Sequence, residues 1–246
     1  MPSPHLKRIT ATLLTTLVTL QPPERTMLSI PRLEIKNLVF TYGDTRVFDN
    51  FSIASDAPVI VLRGPSGCGK TTLLKLLTGF LLSQGLSELP LACSPALIIQ
   101  EDGLFPWMTG RGSLSLGGRL VWADACNHRL YPMVEPLLRQ RCFRMSYGQR
   151  RKVELFGAFL RRHDLLCLDE PFNFIDQSTR ATMIDFINKG ALADRLVVMS
   201  SHYESDIAGL DCDVIEFDGD LPISACRHYA YSAGTRLSTF SGITHD

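Results

Sequence analysis

Residues 59–77 have the sequence VIVLRGPSGCGKTTLLKLL, in which an apolar, β-branched run leads into a glycine-rich loop and then into a leucine-rich segment. The run Val59–Leu62 predicts a strand that is buried on both faces, and the leucine-rich segment predicts a helix. The eight residues from Gly64 to Thr71 match the P-loop pattern in this strand-loop-helix setting. Because converging backbone N–H groups and a helix N-terminus both favour anions, we predict that this loop binds the phosphates of a nucleotide.

The positions of this loop have distinct expected roles. Lys70 supplies a mobile cation for the β- and γ-phosphates, and the hydroxyl of Thr71 is expected to bind Mg²⁺. The predicted nucleotide-binding residues of the loop are Gly64, Pro65, Ser66, Gly67, Cys68, Gly69, Lys70, Thr71 and Thr72.

Two adjacent acids follow another apolar run. Leu165–Leu168 predicts a second buried strand, and Asp169 and Glu170 come directly after it. Open α/β sheets bind their ligands at the carboxyl ends of the strands. We therefore expect Asp169 to hold Mg²⁺ through water, and Glu170 to orient or deprotonate the water molecule that attacks the nucleotide.

The middle of the chain alternates between strand and helix signals. Apolar runs at residues 96–99 and 196–199 predict two further buried strands, so the domain is expected to be α/β with a mostly parallel core sheet. Residues 33–40 and 51–54 predict an antiparallel β edge, and residues 104–160, which lack a buried-strand signal, predict a helical insertion. The helix-like stretches are residues 71–80, 148–161 and 178–188.

Residues 145–155 have the sequence MSYGQRRKVEL and precede the strand that ends in Asp169 and Glu170. This stretch resembles the signature motif of ABC-type ATPases, Leu-Ser-Gly-Gly-Gln followed by a basic helix start. Other motifs of that family are matched in order between residues 33 and 217. They are Tyr42 for the aromatic that stacks on adenine, Gln100 for the glutamine after the second core strand, Asp176 for the D-loop aspartate and His202 for the switch histidine. The chain is thus similar to a P-loop NTPase of ABC type.

The resemblance implies a homodimer in which two ATP molecules lie between the P-loop of one copy and the signature motif of the other. Ser146, Gly148 and Gln149 would then contact ATP at the start of a helix, where anions are favoured. His202 would bond the γ-phosphate and help to fix the water that Glu170 orients. The implied cofactors are ATP and Mg²⁺. The implied catalytic residues are Glu170, His202, Lys70 and Gln100, and the implied Mg²⁺ ligands are Thr71, Gln100 and Asp169. Tyr42 and Asp176 complete the implied ATP site.

Two motifs depart from the family pattern. Tyr147 stands where the signature has its first glycine, and Asn173-Phe174-Ile175-Asp176 stands in place of Ser-Ala-Leu-Asp. The first change adds a side chain where the family has none, and the second alters the contacts expected across the dimer. Neither removes a catalytic group, so we predict an active ATPase.

The segment from Glu101 to Thr109 resembles that of importer ATPases, particularly those for nitrate, sulfonates and related small anions. Phe105, Trp107 and Met108 would suit a docking groove for a short helix of an integral membrane permease, although Trp107 could instead be core of the insertion. The resemblance implies a peripheral subunit on the cytoplasmic face of the membrane, with a substrate-binding protein as further partner of an importer. The alternative is a non-transport or regulatory ABC module that binds ATP without cycling.

Composition and charge exclude other classes. The chain has 246 residues, 45% of them hydrophobic and 20% charged, which suits one well-buried core or two small domains rather than a disordered or fibrous chain. Its 25 basic and 25 acidic residues give no net charge, so we expect no nucleic-acid partner and interpret the basic residues between Arg139 and Lys152 as a solvated helix face. Seven cysteines without a Cys-x-x-Cys pair support neither a disulfide framework nor a zinc site.

The two ends of the chain are set apart from this domain. Residues 1–26 have the outline of a signal peptide, but they lack a small-residue cleavage site, and their uncharged stretch is too short to span a bilayer. We favour an upstream extension with Met27 as the true start. The predicted ABC ATPase domain then covers residues 27–221. Residues 222–246 are interpreted as a tail, either a short accessory segment or a frayed end.

Overall fold

The computed structural model describes residues 33–81, 94–116, 120, 122–192, 194–232 and 235–241. The predicted extension at residues 1–26 and the alternative start at Met27 lie outside the described residues. Strands in these ranges form two sheets. A small antiparallel sheet consists of β1 (Leu33–Tyr42) and β2 (Thr45–Ser55). The strands of the main sheet are β3 (Val59–Arg63), β4 (Pro95–Ile98), β5 (Leu165–Leu168), β6 (Leu196–Ser201), β7 (Cys212–Glu216), β8 (Arg227–Ser232) and β9 (Thr235–Ser241).

The helices connect the strands of the main sheet. They are α1 (Lys70–Leu77), α2 (Gly110–Leu116), α3 (Trp122–Cys126), α4 (Tyr131–Leu138), α5 (Tyr147–Leu160) and α6 (Gln177–Phe186). Helix α1 follows β3, α6 lies between β5 and β6, and α2 to α5 all lie between β4 and β5. In the part of the chain that the structure describes, no helix has the length and apolar character needed to cross a bilayer.

The buried strands place alternate side chains on opposite faces of the main sheet. In β3, Val59 and Val61 pack into a core shared with α4, α5 and α6, whereas Ile60 and Leu62 pack into a second core shared with α1, β1 and β2. Because both faces are covered, every residue from Val59 to Leu62 is buried, which explains an apolar run without polar alternation.

The parallel strands bring the predicted motifs to one edge of the sheet. The strand order is β4-β5-β6-β3-β7-β8-β9, and the first five of these strands run parallel. Their carboxyl ends therefore share an edge that carries the P-loop after β3, Asp169 after β5 and His202 after β6. The predicted α/β fold with a mostly parallel core sheet is confirmed.

The antiparallel elements are arranged differently from the sequence-based expectation. The antiparallel pair expected at residues 33–40 and 51–54 forms, but as a separate sheet rather than as an edge of the core sheet. The antiparallel edge of the main sheet consists of β8 and β9, in the segment interpreted as a tail. This segment joins the sheet because Tyr229 and Tyr231 bury almost completely, at 3% and 5% exposure.

Candidate nucleotide-binding site

The P-loop connects β3 to α1, and its backbone packs too closely for larger residues. Gly64 has a φ of 144°, and a Cβ atom on it would lie 2.8 Å from the carbonyl oxygen of Phe217. Lys70, at the start of α1, is 5% exposed, and its Nζ donates to the carbonyl oxygens of Gly64 and Pro65 at 2.8 Å each. The first N–H groups of α1 have no acceptor within the helix. The loop therefore offers a phosphate group both backbone N–H donors and the positive charge of Lys70.

Thr71 and Asp169 meet beside this loop. The Oγ1 atom of Thr71 donates to Oδ2 of Asp169 at 2.8 Å. Asp169 is 4% exposed, and its Oδ1 accepts from the hydroxyl of Ser200 at 2.6 Å. A hydroxyl and a carboxylate are hard oxygen donors, which Mg²⁺ prefers. The residues present at this point therefore fit that ion.

Glu170 is fixed through both its backbone and its side chain. Its amide donates to Oγ of Ser200 at 2.8 Å, its Oε1 lies 2.5 Å from Nε2 of His202, and its Oε2 accepts from the side-chain amide of Asn173. The φ of 46° at Glu170 is uncommon for a residue with a side chain. A cavity of about 310 Å³ opens beside His202 and is also lined by Gly64 and Pro65 of the P-loop. The predicted base and the switch histidine are thus in contact beside open space.

A buried arginine lies beneath the site. Arg151 of α5 is 1% exposed and donates to the carbonyl oxygens of Ile99 at 2.6 Å and of Asp169 at 2.5 Å. Glu154 lies 3.4 Å from its Nη1 and also accepts from the amide of Gly103. Burial raises the pKa of the Glu154 carboxyl, which its hydrogen bonds only partly offset. Arg151 therefore ties α5 to the ends of β4 and β5, and the prediction of a solvated face is wrong at this residue.

Asp176 caps the N-terminus of α6. Its Oδ1 accepts from the amide of Thr179 at 2.9 Å, and its Oδ2 accepts from Nζ of Lys152 at 2.6 Å. The Lys152 ammonium, followed by the donors of Ser178 and Thr179, holds the pKa of the Asp176 carboxyl well below its usual range. The cap therefore stays charged and joins α6 to the signature helix α5.

Arg180 connects the next turn of α6 to the His202 loop. Its Nη1 lies 2.8 Å from Oδ1 of Asp206, which is buried and accepts from the hydroxyl of Ser201 at 3.0 Å. The same hydroxyl accepts from the amide of Tyr203 at 3.2 Å. The residues on both sides of His202 are therefore held by one network that begins on α6.

The signature residues form the start of α5. The Oγ atom of Ser146 accepts from the amide of Gln149 at 3.2 Å, and Oε1 of Gln149 accepts from the amide of Ser146 at 2.9 Å, so the two form a capping box. A Cβ atom on Gly148 would lie 2.3 Å from the carbonyl oxygen of Phe174, so only glycine fits. Within the described ranges, no hydrogen bond joins Ser146, Gln149 or Asp176 to the P-loop of the same chain, and their place in an ATP site remains a prediction.

The remaining predicted residues are spread around the same edge. Gln100 follows β4, is exposed, and its carbonyl oxygen accepts the hydroxyl of Tyr147. Tyr42 ends β1 with 46% of its surface exposed, and its ring is perpendicular to that of Phe40 at 4.8 Å between centroids. An exposed ring of this kind can stack on a base. In the P-loop, Pro65, Ser66 and Gly67 are exposed, Cys68 is buried, and Gly69 and Thr72 are half-buried.

Sequence reasoning missed the residues that support the predicted catalytic groups. Ser200 is fully buried and links Asp169 to the backbone of Glu170. The sequence pattern that could have identified Ser200 is the pair of serines that ends the otherwise apolar strand β6 just before His202. Arg151 and Glu154 are three residues apart on a helix, a spacing that exposed ion pairs also have. The spacing therefore does not indicate that this pair is buried.

An α/β sheet with a P-loop, an acidic strand end and a histidine at one edge defines a P-loop nucleotide-binding domain. The family profile described as ABC transporter matches residues 50–173. The chain belongs to the ABC transporter family, and the resemblance drawn from the signature stretch is confirmed.

Two relatives are ATP-binding proteins of importers. The chain is 34% identical over 177 residues to the spermidine/putrescine import ATP-binding protein PotA of Chromobacterium violaceum, which covers 63% of this chain and 48% of that protein. It is 31% identical over 167 residues to the taurine import ATP-binding protein TauB of Escherichia coli O157:H7. That match covers 61% of this chain and 65% of TauB. The chain therefore spans about half of the first and 65% of the second of these curated relatives.

Solved structures share the fold. An ATP-binding subunit of an ABC transporter matches with a TM-score of 0.64 and 21% identity over 78% of this chain and 87% of that one. A bacterial Atm1-family ABC exporter with ATP bound matches with a TM-score of 0.64 and 19% identity over 78% and 38%. At these identities the similarity shows the fold alone.

Proposed function

We propose that this chain is the ATP-hydrolysing subunit of an ABC importer of a small solute, in which two copies bind Mg-ATP head to tail. The observation that carries the proposal is the series of contacts from Thr71 through Asp169, Ser200 and Glu170 to His202. These contacts join the phosphate loop to a general base and its histidine across three neighbouring strands.

The residues of this series divide the chemistry between them. Lys70 and the first amides of α1 bind and orient the β- and γ-phosphates. Thr71 and Asp169, with Gln100 as a further oxygen donor, would hold Mg²⁺, which neutralises charge on the phosphate oxygens when it is bound. Glu170 accepts a proton from the attacking water, and His202 would bond the γ-phosphate and help to fix that water.

The signature of a second copy completes the proposed site. Ser146, Gly148 and Gln149 lie at the start of α5, where the helix favours an anion, and Tyr42 offers an exposed ring for adenine. Asp176, held at the start of α6, would lie at the same interface. These groups bind ATP between two copies, so that ATP draws the copies together and hydrolysis releases them.

We define the docking surface as Phe105, Trp107 and Phe143, which are 41%, 65% and 57% exposed. The rings of Phe105 and Trp107 are 5.5 Å apart between centroids, and the amide of Phe143 donates to the carbonyl of Pro106 at 3.0 Å, so two segments form one apolar surface. The exposure of Trp107 argues against its placement in the core, whereas Met108 is half-buried. We propose that a short helix of an integral membrane permease docks here, which would hold the chain on the cytoplasmic face of the membrane.

The Trp107→Ala substitution is expected to release the protein from membranes and to leave hydrolysis by the isolated protein unchanged. The measurement is the fraction that sediments with membranes containing a co-encoded permease, beside phosphate release in solution. Phe80→Ala, which removes another exposed aromatic three residues after the end of α1, is the matched control and should sediment like the wild type. Equal sedimentation of the Trp107 variant would exclude this surface.

Three of the six basic residues between Arg139 and Lys152 are paired with acidic side chains, and we propose no nucleic-acid partner because the chain carries no net charge. Arg150 lies 2.9 Å from Asp102, Lys152 lies 2.6 Å from Asp176, and Arg151 is buried, so these cations are engaged within the fold. A substrate-binding protein would be the third component of the importer, since both relatives described above are import proteins by name.

A regulatory module that binds ATP without cycling is the second candidate. It is favoured by one observation, because both carboxylate oxygens of Glu170 are engaged, by His202 and by Asn173. Phosphate release by the full chain with ATP, with and without Mg²⁺, separates the two candidates. Turnover that needs Mg²⁺ supports the ATPase, whereas tight ATP binding without turnover supports the regulatory module. Retardation of DNA at physiological salt would contradict both.

The Arg180→Ala substitution is expected to lower kcat by about 10- to 100-fold while the KM for ATP changes little, because His202 loses its support but the P-loop does not. Steady-state kinetics at several ATP concentrations measure this split. Arg180→Lys keeps the charge opposite Asp206 and should recover part of the rate. Arg129→Ala, which breaks an exposed pair with Asp185, is the control. A change confined to KM would show that Arg180 does not act through His202.

A further inference from the structure

The two departures from the family pattern contact each other. The ring of Tyr147 packs edge to face against that of Phe174, with 4.8 Å between centroids and 72° between planes. Phe174 is 73% exposed and has a φ of 61°, and its carbonyl oxygen approaches Gly148 so closely that no side chain fits there. The segment after Glu170 therefore packs directly on the first turn of α5.

Tyr147 also contacts the segment after β4. Its hydroxyl donates to the backbone carbonyl oxygen of Gln100. Beside it, the guanidinium of Arg150 lies 5.8 Å from the Tyr147 ring centroid and 2.9 Å from Asp102. Tyr147 itself is half-buried. One side chain thus joins Gln100, the start of α5 and Phe174.

We infer that Tyr147 is a positioning residue that couples the ATP site of one copy to the ATP site it forms with the next. The inference rests on the proposed head-to-tail dimer. In that dimer Gln100 serves the ATP held by its own P-loop, while Ser146, next to Tyr147, serves the ATP held by the other copy. A displacement of Gln100 therefore moves the start of α5 through the Tyr147 hydroxyl. Because coupling between two binding sites is reciprocal, a displacement of the start of α5 likewise moves Gln100.

The test is the dependence of ATP turnover on ATP concentration for the full chain and for Tyr147→Phe, which keeps the ring and removes only the hydroxyl. The wild type is expected to show a Hill coefficient above about 1, with about 2 as the limit for two sites. In the variant the coefficient should fall to about 1, while the affinity for a fluorescent ATP analogue and the melting temperature remain those of the wild type.

Two further variants separate the contacts. Phe174→Ala removes the ring partner and leaves the hydroxyl, so it should retain more cooperativity than Tyr147→Gly, which removes both contacts. Tyr131→Phe removes a hydroxyl from α4 and is the matched control. An unchanged Hill coefficient in Tyr147→Phe, or a wild-type coefficient of about 1, overturns this inference while the ATPase proposal stands. Parallel losses of nucleotide affinity and melting temperature in Tyr147→Phe also overturn it. An absence of turnover in the wild type overturns the proposed function itself.

Discussion

Glu170→Gln is expected to reduce kcat for ATP by about 10²- to 10⁴-fold, because the amide keeps the shape of the side chain but cannot accept a proton from water. The glutamine oxygen can accept from His202 or from Asn173 but not from both, and the backbone bond to Ser200 is unaffected, so the fold and nucleotide binding should persist. ATP that is bound but not cleaved should hold two copies together. The variant is therefore expected to accumulate as a dimer in Mg-ATP.

Phosphate release and light scattering measure these two effects on the same sample. Glu135→Gln, an exposed substitution on α4, is the control and should turn over ATP like the wild type. Turnover that survives in Glu170→Gln would remove Glu170 from the role of base. Loss of turnover without dimer accumulation would retain the base but contradict the head-to-tail arrangement.

Arg151→Leu is expected to lower the free energy of unfolding by about 3–5 kcal/mol, since it leaves the buried carboxylate of Glu154 without its cation. Two backbone carbonyl oxygens, those of Ile99 and Asp169, also lose their donor. Urea denaturation of the purified variant measures the loss. Arg162→Leu, at an exposed position two residues after the end of α5, should change stability by no more than about 0.5 kcal/mol.

The loss in Arg151→Leu should depend on pH. Burial already raises the folded-state pKa of Glu154, and removal of the cation raises it further. A carboxyl with a raised folded-state pKa contributes stability that is present at low pH and is lost as the pH rises through that pKa. The difference between variant and wild type should therefore be smaller at about pH 5 than at about pH 8.

A double variant provides a separate test of the pair. Arg151→Leu with Glu154→Leu removes both charges and should recover part of the stability, because two apolar side chains leave no buried charge. Recovery should be incomplete, since the backbone carbonyl oxygens remain without donors. Equal stability of the single and double variants would show that the ion pair is not the source of the loss.

Local sequence patterns predicted the parts of the site that depend on few neighbouring residues. The P-loop, the acids after β5 and His202 each follow an apolar strand, and the parallel sheet brings the ends of such strands to one edge. The support for these groups was not predictable in the same way. Arg151 lies in a run of basic residues that is typical of a solvated face, and only its contacts with the ends of β4 and β5 explain its burial.

Contacts between distant parts of the chain explain the other differences. In the sequence Tyr147 and Phe174 are two separate departures from the family pattern, and nothing there indicates that they touch. The segment after Leu221 is rich in small polar residues, yet it forms β8 and β9 because Tyr229 and Tyr231 bury and His228 lies 2.9 Å from Asp213 of β7. The alternation of Tyr229 and Tyr231 with small or polar residues in β8 is the signal that could have found this strand.

The position of β3 in the sheet has a consequence for biosynthesis. Its hydrogen-bonded neighbours are β6 and β7, where Val59 pairs with Val197 and Ile60 with Asp213. During synthesis on the ribosome, the backbone of β3 therefore remains unpaired until most of the polypeptide, including β6 and β7, has been made. Such distant pairing is slow and leaves an apolar strand open to aggregation in the meantime. Nascent chains of this protein are accordingly expected to depend on chaperones until β7 has been synthesised.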